Sequence, residues 1–316
     1  MGKPNHILVT GGAGYIGSHT VVELIKEGYK VTVVDTLERS ELKIIEGVEQ
    51  ITNSKIDFHK IDCLDFNSLD SLFSKNKFTA VIHFAAYKSV NESVALPIEY
   101  YKNNVGSLIT LLEVMKKHQV YDLIFSSSCT VYGQPDQVQV NESAPFKKPE
   151  SPYGSTKQVC EKILEDAATE KFRIISLRYF NPIGAHPSAL IGELPIGVPN
   201  NLVPYVTQTA AGIREKLLVF GNDYETTDGS CVRDFIHVCD VDIAHVKAIE
   251  YLNNRKETSL FDAFNLGTGI GVSVLELVKK FIEVTGVTIN YIIGPRRPGD
   301  VVKVYADPKK INTAFG

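Results

Sequence analysis

Residues His6 to Thr10 run straight into Gly11-Gly12-Ala13-Gly14-Tyr15-Ile16-Gly17, then into a helical pattern and a second apolar run, Val31-Thr32-Val33-Val34, closed by Asp35. Strand, tight glycine turn, helix, strand and acid in that order confine the opening of the chain to a βαβ unit of the kind that holds a dinucleotide. Gly11 permits the turn, Gly14 lets the backbone approach a pyrophosphate, and Gly17 lets the helix pack close to the strand. The helix N-terminus then faces the phosphates. Asp35 falls at the carboxyl end of the second strand, where a carboxylate accepts hydrogen bonds from a ribose diol and repels a 2′-phosphate. NAD is therefore favoured over NADP.

Short apolar runs recur with helical patterns between them: Ile7 to Val9, Val31 to Val34, Ile56 to Ile61, Ala80 to Phe84, Leu123 to Ser126 and Ile174 to Phe180. Runs without polar alternation suit parallel strands buried on both faces, which predicts an α/β fold with a doubly wound parallel (Rossmann) sheet over residues 1–180. Beyond Asn181 the texture changes. Pro182, Pro187, Pro195, Pro199 and Pro204, with glycines between them, predict a smaller, looped C-terminal substrate-binding lobe over residues 181–316, with room for some segments to return to the sheet. The crevice between lobe and strand ends is then the expected place for a substrate.

The 316 residues are 44% hydrophobic and 22% charged, with a net charge of −4, ordinary values for a soluble globular chain that leave no basic surplus for nucleic acid or membrane. No apolar stretch approaches the ~18 residues that span a bilayer. Met1-Gly2 opens like a myristoylation signal, but His6 stands where Ser or Thr is wanted. Cys63, Cys129, Cys160, Cys231 and Cys239 are scattered and lack paired metal-site spacing, so no metal is expected and a reducing, cytoplasmic setting fits.

Ser151-Pro152-Tyr153-Gly154-Ser155-Thr156-Lys157 opens a helix, with Ser151 as N-cap and Pro152 in the first position, and Tyr153 and Lys157 share one helix face. An ammonium beside a phenol stabilises the phenolate, which would make Tyr153 a general base. The spacing alone fits a solvated helix face equally well. Tyr305 and Lys309 are also four apart, but Asp307-Pro308 reads as a helix start that leaves Tyr305 outside. The strand closing in Ser126-Ser127-Ser128 puts hydroxyls at the carboxyl edge of the sheet, able to bond a sugar oxygen or to cap local backbone.

Taken together, Thr10 to His19, His83 to Lys88, Asn103-Asn104-Val105, Ser126 to Gly133, Tyr153 to Lys157, Arg178 to Pro182, Gly184 to Pro187, Val232 to Val238 and Arg296 to Asp300 resemble the UDP-glucose 4-epimerase family of extended short-chain dehydrogenase/reductases. The glycine turn and the Tyr/Lys pair mark only the superfamily, whereas the segments from Arg178 onward narrow it. The resemblance implies that Gly14, Tyr15, Ile16, Asp35, Asp62, Cys63, Phe84, Lys88, Asn103 and Tyr179, with the turn glycines Gly11 and Gly17, contact NAD. It makes Ser128, Tyr153 and Lys157 catalytic, and gives the UDP-sugar to Asn181, Asn201, Leu202, Phe220, Arg233, Arg297 and Asp300. Two arginines from separate segments are also what a diphosphate needs for forked, charge-assisted contacts.

The implied reaction is C4 epimerisation of UDP-glucose and UDP-galactose, in galactose metabolism, by a homodimer paired through sheet-flanking helices. Val304 is expected to line the sugar pocket and, being small, to admit an N-acetyl group at C2. An epimerase of another UDP-sugar, a nucleotide-sugar dehydratase and a non-catalytic NAD sensor are the alternatives; the dehydratase needs an Asp-Glu pair where Cys129 and Thr130 stand. Two further departures from the family pattern are small: Ala86 replaces a glycine and Cys129 an alanine. The sequence stops at Ala314-Phe315-Gly316 where the family pattern continues through another helix, a difference expected to bear on stability more than on chemistry.

Overall fold

The first five residues of regular structure, His6–Thr10 (β1), are all buried, and that two-sided burial is why the run carries no polar alternation. Removing Ile7, Leu8 or Val9 from water contributes about 1.5–3 kcal/mol each. The computed structural model describes residues 5–297 and 300–316, so Met1, Gly2, Pro298 and Gly299 of the sequence reading lie outside the described residues.

β1 pairs in parallel with Lys30–Asp35 (β2), which pairs with Asp57–Lys60 (β3); on its other side it pairs with Ala80–His83 (β4), then Asp122–Ser128 (β5). The two-residue strand Gln139–Val140 (β6) lies apart, and Arg173–Tyr179 (β7) continues the sheet beside β5. Helices Tyr15–Lys26 (α1) and Leu42–Thr52 (α2) cover one face, while Phe66–Lys75 (α3), Pro97–Lys117 (α5) and Pro152–Ala168 (α6) cover the other; the short Val90–Ala95 (α4) leads into α5. The six apolar runs of the sequence reading are thus six parallel strands, with the order reversing between β1 and β4.

The lobe is built from Asn181–Ile183 (β8), Leu202–Ala210 (α7), Leu217–Phe220 (β9) and Val232–His237 (β10). The chain then returns. Val238–Asn253 (α8) packs on α1, and Leu260–Leu266 (β11) joins β7 as a seventh strand, giving the order β11-β7-β5-β4-β1-β2-β3. Asp262 and Asn265 interrupt this strand, so its apolar pattern is weaker than those of the first six. The lobe resumes with Gly271–Ser273 (β12), paired to β10, then Val274–Thr285 (α9) and Tyr291–Gly294 (β13), paired to β9. Tyr305–Ala306 (β14) pairs with β6, and Lys309–Phe315 (α10) packs against α8 and β11. Residues 181–316 are therefore interleaved in space: α8, β11 and α10 belong to the layers of the main sheet.

The glycine turn has the geometry its composition demands. Gly11 has φ of +71°, and a Cβ there would lie 2.7 Å from the Ala85 backbone nitrogen; a Cβ on Gly17 would lie 2.3 Å from the Gly11 oxygen. Among the described residues no helix is long and apolar enough to cross a membrane.

Candidate active site

A cavity of about 1030 Å³ opens at the carboxyl ends of the strands, between the sheet and the lobe. Gly11, Gly14, Tyr15, Ile16, Gly17, Asp35, Asp62, Cys63, Phe84, Lys88, Asn103 and Tyr179 all line it, with Ser128, Tyr153 and Lys157 also in the wall. The lobe contributes Asn181, Asn201, Leu202, Phe220, Arg233, Arg297 and Asp300. Residues drawn from nearly the whole chain thus face one space.

Val304 is the exception. It is not part of the wall but buried in a cluster with Val131, Tyr132, Val140, Phe180 and Ala306, just before the β14 strand that ties this segment to β6. The expectation that it lines the sugar pocket is corrected on this point: within its cluster only Phe180 and the flanking Cys129 reach the cavity.

On the dinucleotide side, α1 begins at Gly14 with no side-chain cap, so its first amide groups face the cavity without side-chain partners. Asp35 fastens the turn, accepting from the amides of Ala13 at 3.1 Å and Leu37 at 2.9 Å and from the Ser40 hydroxyl at 3.0 Å. A carboxylate offers about four acceptor positions, so one remains. The nearby cation Arg39 is held by both oxygens of Glu92, at 2.7 and 3.0 Å, and lies over the Tyr87 ring. Burial pushes the Cys63 thiol up to about 12, which leaves it an inert wall residue. Tyr179 meets His245 through a 2.6 Å hydrogen bond, and the same imidazole bonds the Val241 carbonyl through its other nitrogen.

The centre of the cavity departs from the simplest Tyr/Lys picture. Ser151 caps α6 by accepting from the Gly154 amide at 3.2 Å, and Pro152 takes the first position, so Tyr153 and Lys157 share a face as expected. Lys157, however, is 3% exposed and donates to the main-chain oxygen of Ser126 at 2.6 Å. Burial lowers its pKa to about 8. Burial pushes Tyr153 up to about 12, opposed by a hydrogen bond with Ser128. The Lys157 ammonium is engaged by a carbonyl at the strand end, 5.9 Å from the centre of the Tyr153 ring, and burial dominates the phenol. Ser128 caps local backbone, accepting from the Thr130 amide at 3.2 Å, and lines the cavity with Tyr153. Ser127 instead turns inward to Glu161.

On the lobe side Arg297 grips Asp300 through Nε and Nη2, the closest contact being 2.6 Å, and lies 5.3 Å from the Phe220 ring centre. Arg233 reaches the same carboxylate at 3.5 Å and donates to the Val232 and Val301 carbonyls. Two guanidinium groups from distant segments thus meet over one acid. Glu193, which the sequence reading passed over, also enters the wall and binds both Lys88 and Asn201. The one signal for it was its place in the proline-rich loop before Asn201.

The model of the family described as GDP-mannose 4,6 dehydratase matches residues 8–316. A UDP-glucose 4-epimerase of Bacillus subtilis is 50% identical over 312 residues, covering 98% of this chain and 91% of that protein. One from Dictyostelium discoideum is 51% identical, covering 99% and 90%. The chain belongs to the UDP-glucose 4-epimerase family. The crystal structure of the UDP-glucose 4-epimerase of Bifidobacterium longum, in complex with NAD+ and UDP, superposes with a TM-score of 0.95 at 45% identity and covers 99% of this chain and 92% of that one. The seven-stranded parallel sheet and the lobe laid over its carboxyl ends are therefore the epimerase fold.

Proposed function

We propose that this chain interconverts UDP-glucose and UDP-galactose, an NAD-dependent isomerase step of galactose metabolism. One observation carries the reading: Ser128, Tyr153 and Lys157 meet in a cavity flanked by the uncapped turn of α1 with Asp35 and, opposite, by Arg233 and Arg297. The α1 terminus suits a pyrophosphate, and Asp35 suits a ribose diol. Arg39 is already engaged by Glu92, so the cation nearest Asp35 in sequence is not free to offset its repulsion of a 2′-phosphate, in keeping with NAD.

Tyr153 takes the proton of the sugar 4-hydroxyl on its phenolic oxygen and returns it after the sugar has turned over. Ser128 bonds the sugar oxygen and passes protons to Tyr153. Held by the glycine turn and Asp35, NAD would supply reversible hydride chemistry at C4. Arg233 and Arg297 release Asp300 to grip the diphosphate, which anchors the molecule while the sugar rotates. The main-sheet layers hold the dinucleotide, and the segments 181–237 and 267–308 hold the UDP-sugar.

Cys129 and Thr130 follow Ser128, and neither supplies the acid and base that removal of water from C5 and C6 requires, which disfavours a dehydratase. The exposed apolar stripe Ile98, Tyr101 and Ile109 on α5, with Val159 on α6, supports a homodimer through these helices. Five unpaired thiols fit a reducing, cytoplasmic setting. Incubation with UDP-galactose tests the reading: UDP-glucose as product supports it, while a dehydrated keto sugar or no reaction overturns it. Denaturation of the purified protein should release NAD.

A further inference from the structure

A single oxygen of Glu193 joins the two sides of the cavity. Its Oε1 accepts from Lys88 Nζ at 2.8 Å and from Asn201 Nδ2 at 2.6 Å. Lys88 follows β4 on the dinucleotide side, and Asn201 is the N-cap residue of α7 on the lobe side. The Glu193 side chain is only 10% exposed. A carboxylate facing a space suited to two diphosphates repels them unless a cation holds it, so Lys88 is a partner it needs.

The segment that carries Glu193 crosses from the lobe to the first half of the chain and is fastened there at three points. The Tyr15 hydroxyl donates to the Gly184 carbonyl at 2.7 Å. Ile191 is 2% exposed and packs over Gly47 of α2, where a Cβ would come within 2.9 Å of its Cγ2. The Lys88 to Glu193 ion pair is the third point, and beyond it Leu194, Ile196 and Val198 stand exposed in the cavity wall.

We propose that residues 184–201 form a strap across the dinucleotide and that Glu193 is the positioning residue that clasps it, setting Lys88 and Asn201 for their ligands and slowing cofactor escape. The inference rests on the cavity being an NAD and UDP-sugar site. An ammonium has three donors and an amide two N–H groups, so Lys88 and Asn201 each keep donors for a ligand while bonded to Glu193. The Tyr15 and Ile191 anchors hold the start of the strap, which leaves its opening to the Glu193 contacts.

The test is exchange of labelled NAD from the purified holoenzyme against unlabelled NAD, for wild type, Glu193→Ala, Glu193→Gln and Lys88→Met. Glu193→Ala should release NAD about tenfold faster, as expected for loss of one charge-assisted contact with its neighbour. Its KM for UDP-galactose should rise more than its kcat falls at saturating NAD. Glu193→Gln keeps an oxygen for Asn201 but no charge for Lys88, and should lie between wild type and Glu193→Ala. Lys88→Met removes both the clasp and the donor kept for the ligand, and should release NAD at least as fast as Glu193→Ala. Unchanged release from both Glu193 variants, or a fall in kcat with KM constant, overturns the clasp. Wild-type protein that never holds a nicotinamide cofactor overturns the reading of the cavity itself.

Discussion

Lys157 Nζ donates to the main-chain oxygen of Ser126 at 2.6 Å and stands 5.9 Å from the centre of the Tyr153 ring. The cation is therefore held at the end of β5, beside the phenol and not bonded to it. Charge must move toward Tyr153 for it to act as a base near neutral pH, since in its buried setting it is pushed up to about 12.

Tyr153→Phe should lower turnover by about 10²-fold or more while bound NAD is largely retained, as measured by epimerisation rate and by assay of the denatured supernatant. Lys157→Met should lower activity at neutral pH and leave a residual rate that keeps climbing above pH 9. The lysine has a folded pKa of about 8 against an ordinary 10.5. Its burial therefore costs stability fully below pH 8, and the cost fades as pH rises toward 10.5. Thermal melts of wild type and Lys157→Met should accordingly converge or cross over that window.

Arg178 and Glu161 form an ion pair at 2.6 Å, with side chains 5% and 0% exposed, and Ser127 and Ser176 also donate to the carboxylate. Arg178→Met strands a buried charge and should cost about 3–5 kcal/mol in urea denaturation. The double variant Arg178→Met with Glu161→Gln should lose less than Arg178→Met alone. Equal losses would show that the pairing itself matters little.

The shared carboxylate of Asp300 predicts how the arginines read a ligand. Arg233→Ala or Arg297→Ala should weaken UDP binding about 10- to 100-fold in titration calorimetry, the range for hydrogen bonds to charged groups. Arg297→Lys keeps the charge but loses the fork, and should fall short of wild type. Unaltered affinity in both alanine variants would remove them from the diphosphate site.

Val304 predicts substrate range through a neighbour. It shares a cluster with Phe180, which lines the cavity, so a bulkier residue at 304 drives volume toward the sugar. Wild type should interconvert UDP-N-acetylglucosamine and UDP-N-acetylgalactosamine. Val304→Tyr should lose that reaction selectively, with an overpacking cost of about 1–3 kcal/mol. Parallel assays on both sugar pairs check this, and a wild type inert toward N-acetyl sugars rejects it.

The amino-acid sequence by itself determined the glycine turn, six strands, the Ser151 cap and the helix face shared by Tyr153 and Lys157, because each depends on residues within a few positions of one another. Gly11 needs its positive φ whatever surrounds it, and a strand buried on both faces must be apolar throughout. The tertiary structure alone decided what those side chains touch. β11 takes its place beside β7 although Asp262 and Asn265 blur its pattern, since the Asn265 amide is satisfied by the Val140 carbonyl and its oxygen by Tyr132. Lys157 finds the Ser126 carbonyl, Glu193 spans from Lys88 to Asn201, and Val304 sinks behind Phe180. Such contacts join residues up to 133 positions apart, and a carboxylate or an ammonium takes whichever partner the packed elements bring within reach, which no local pattern encodes.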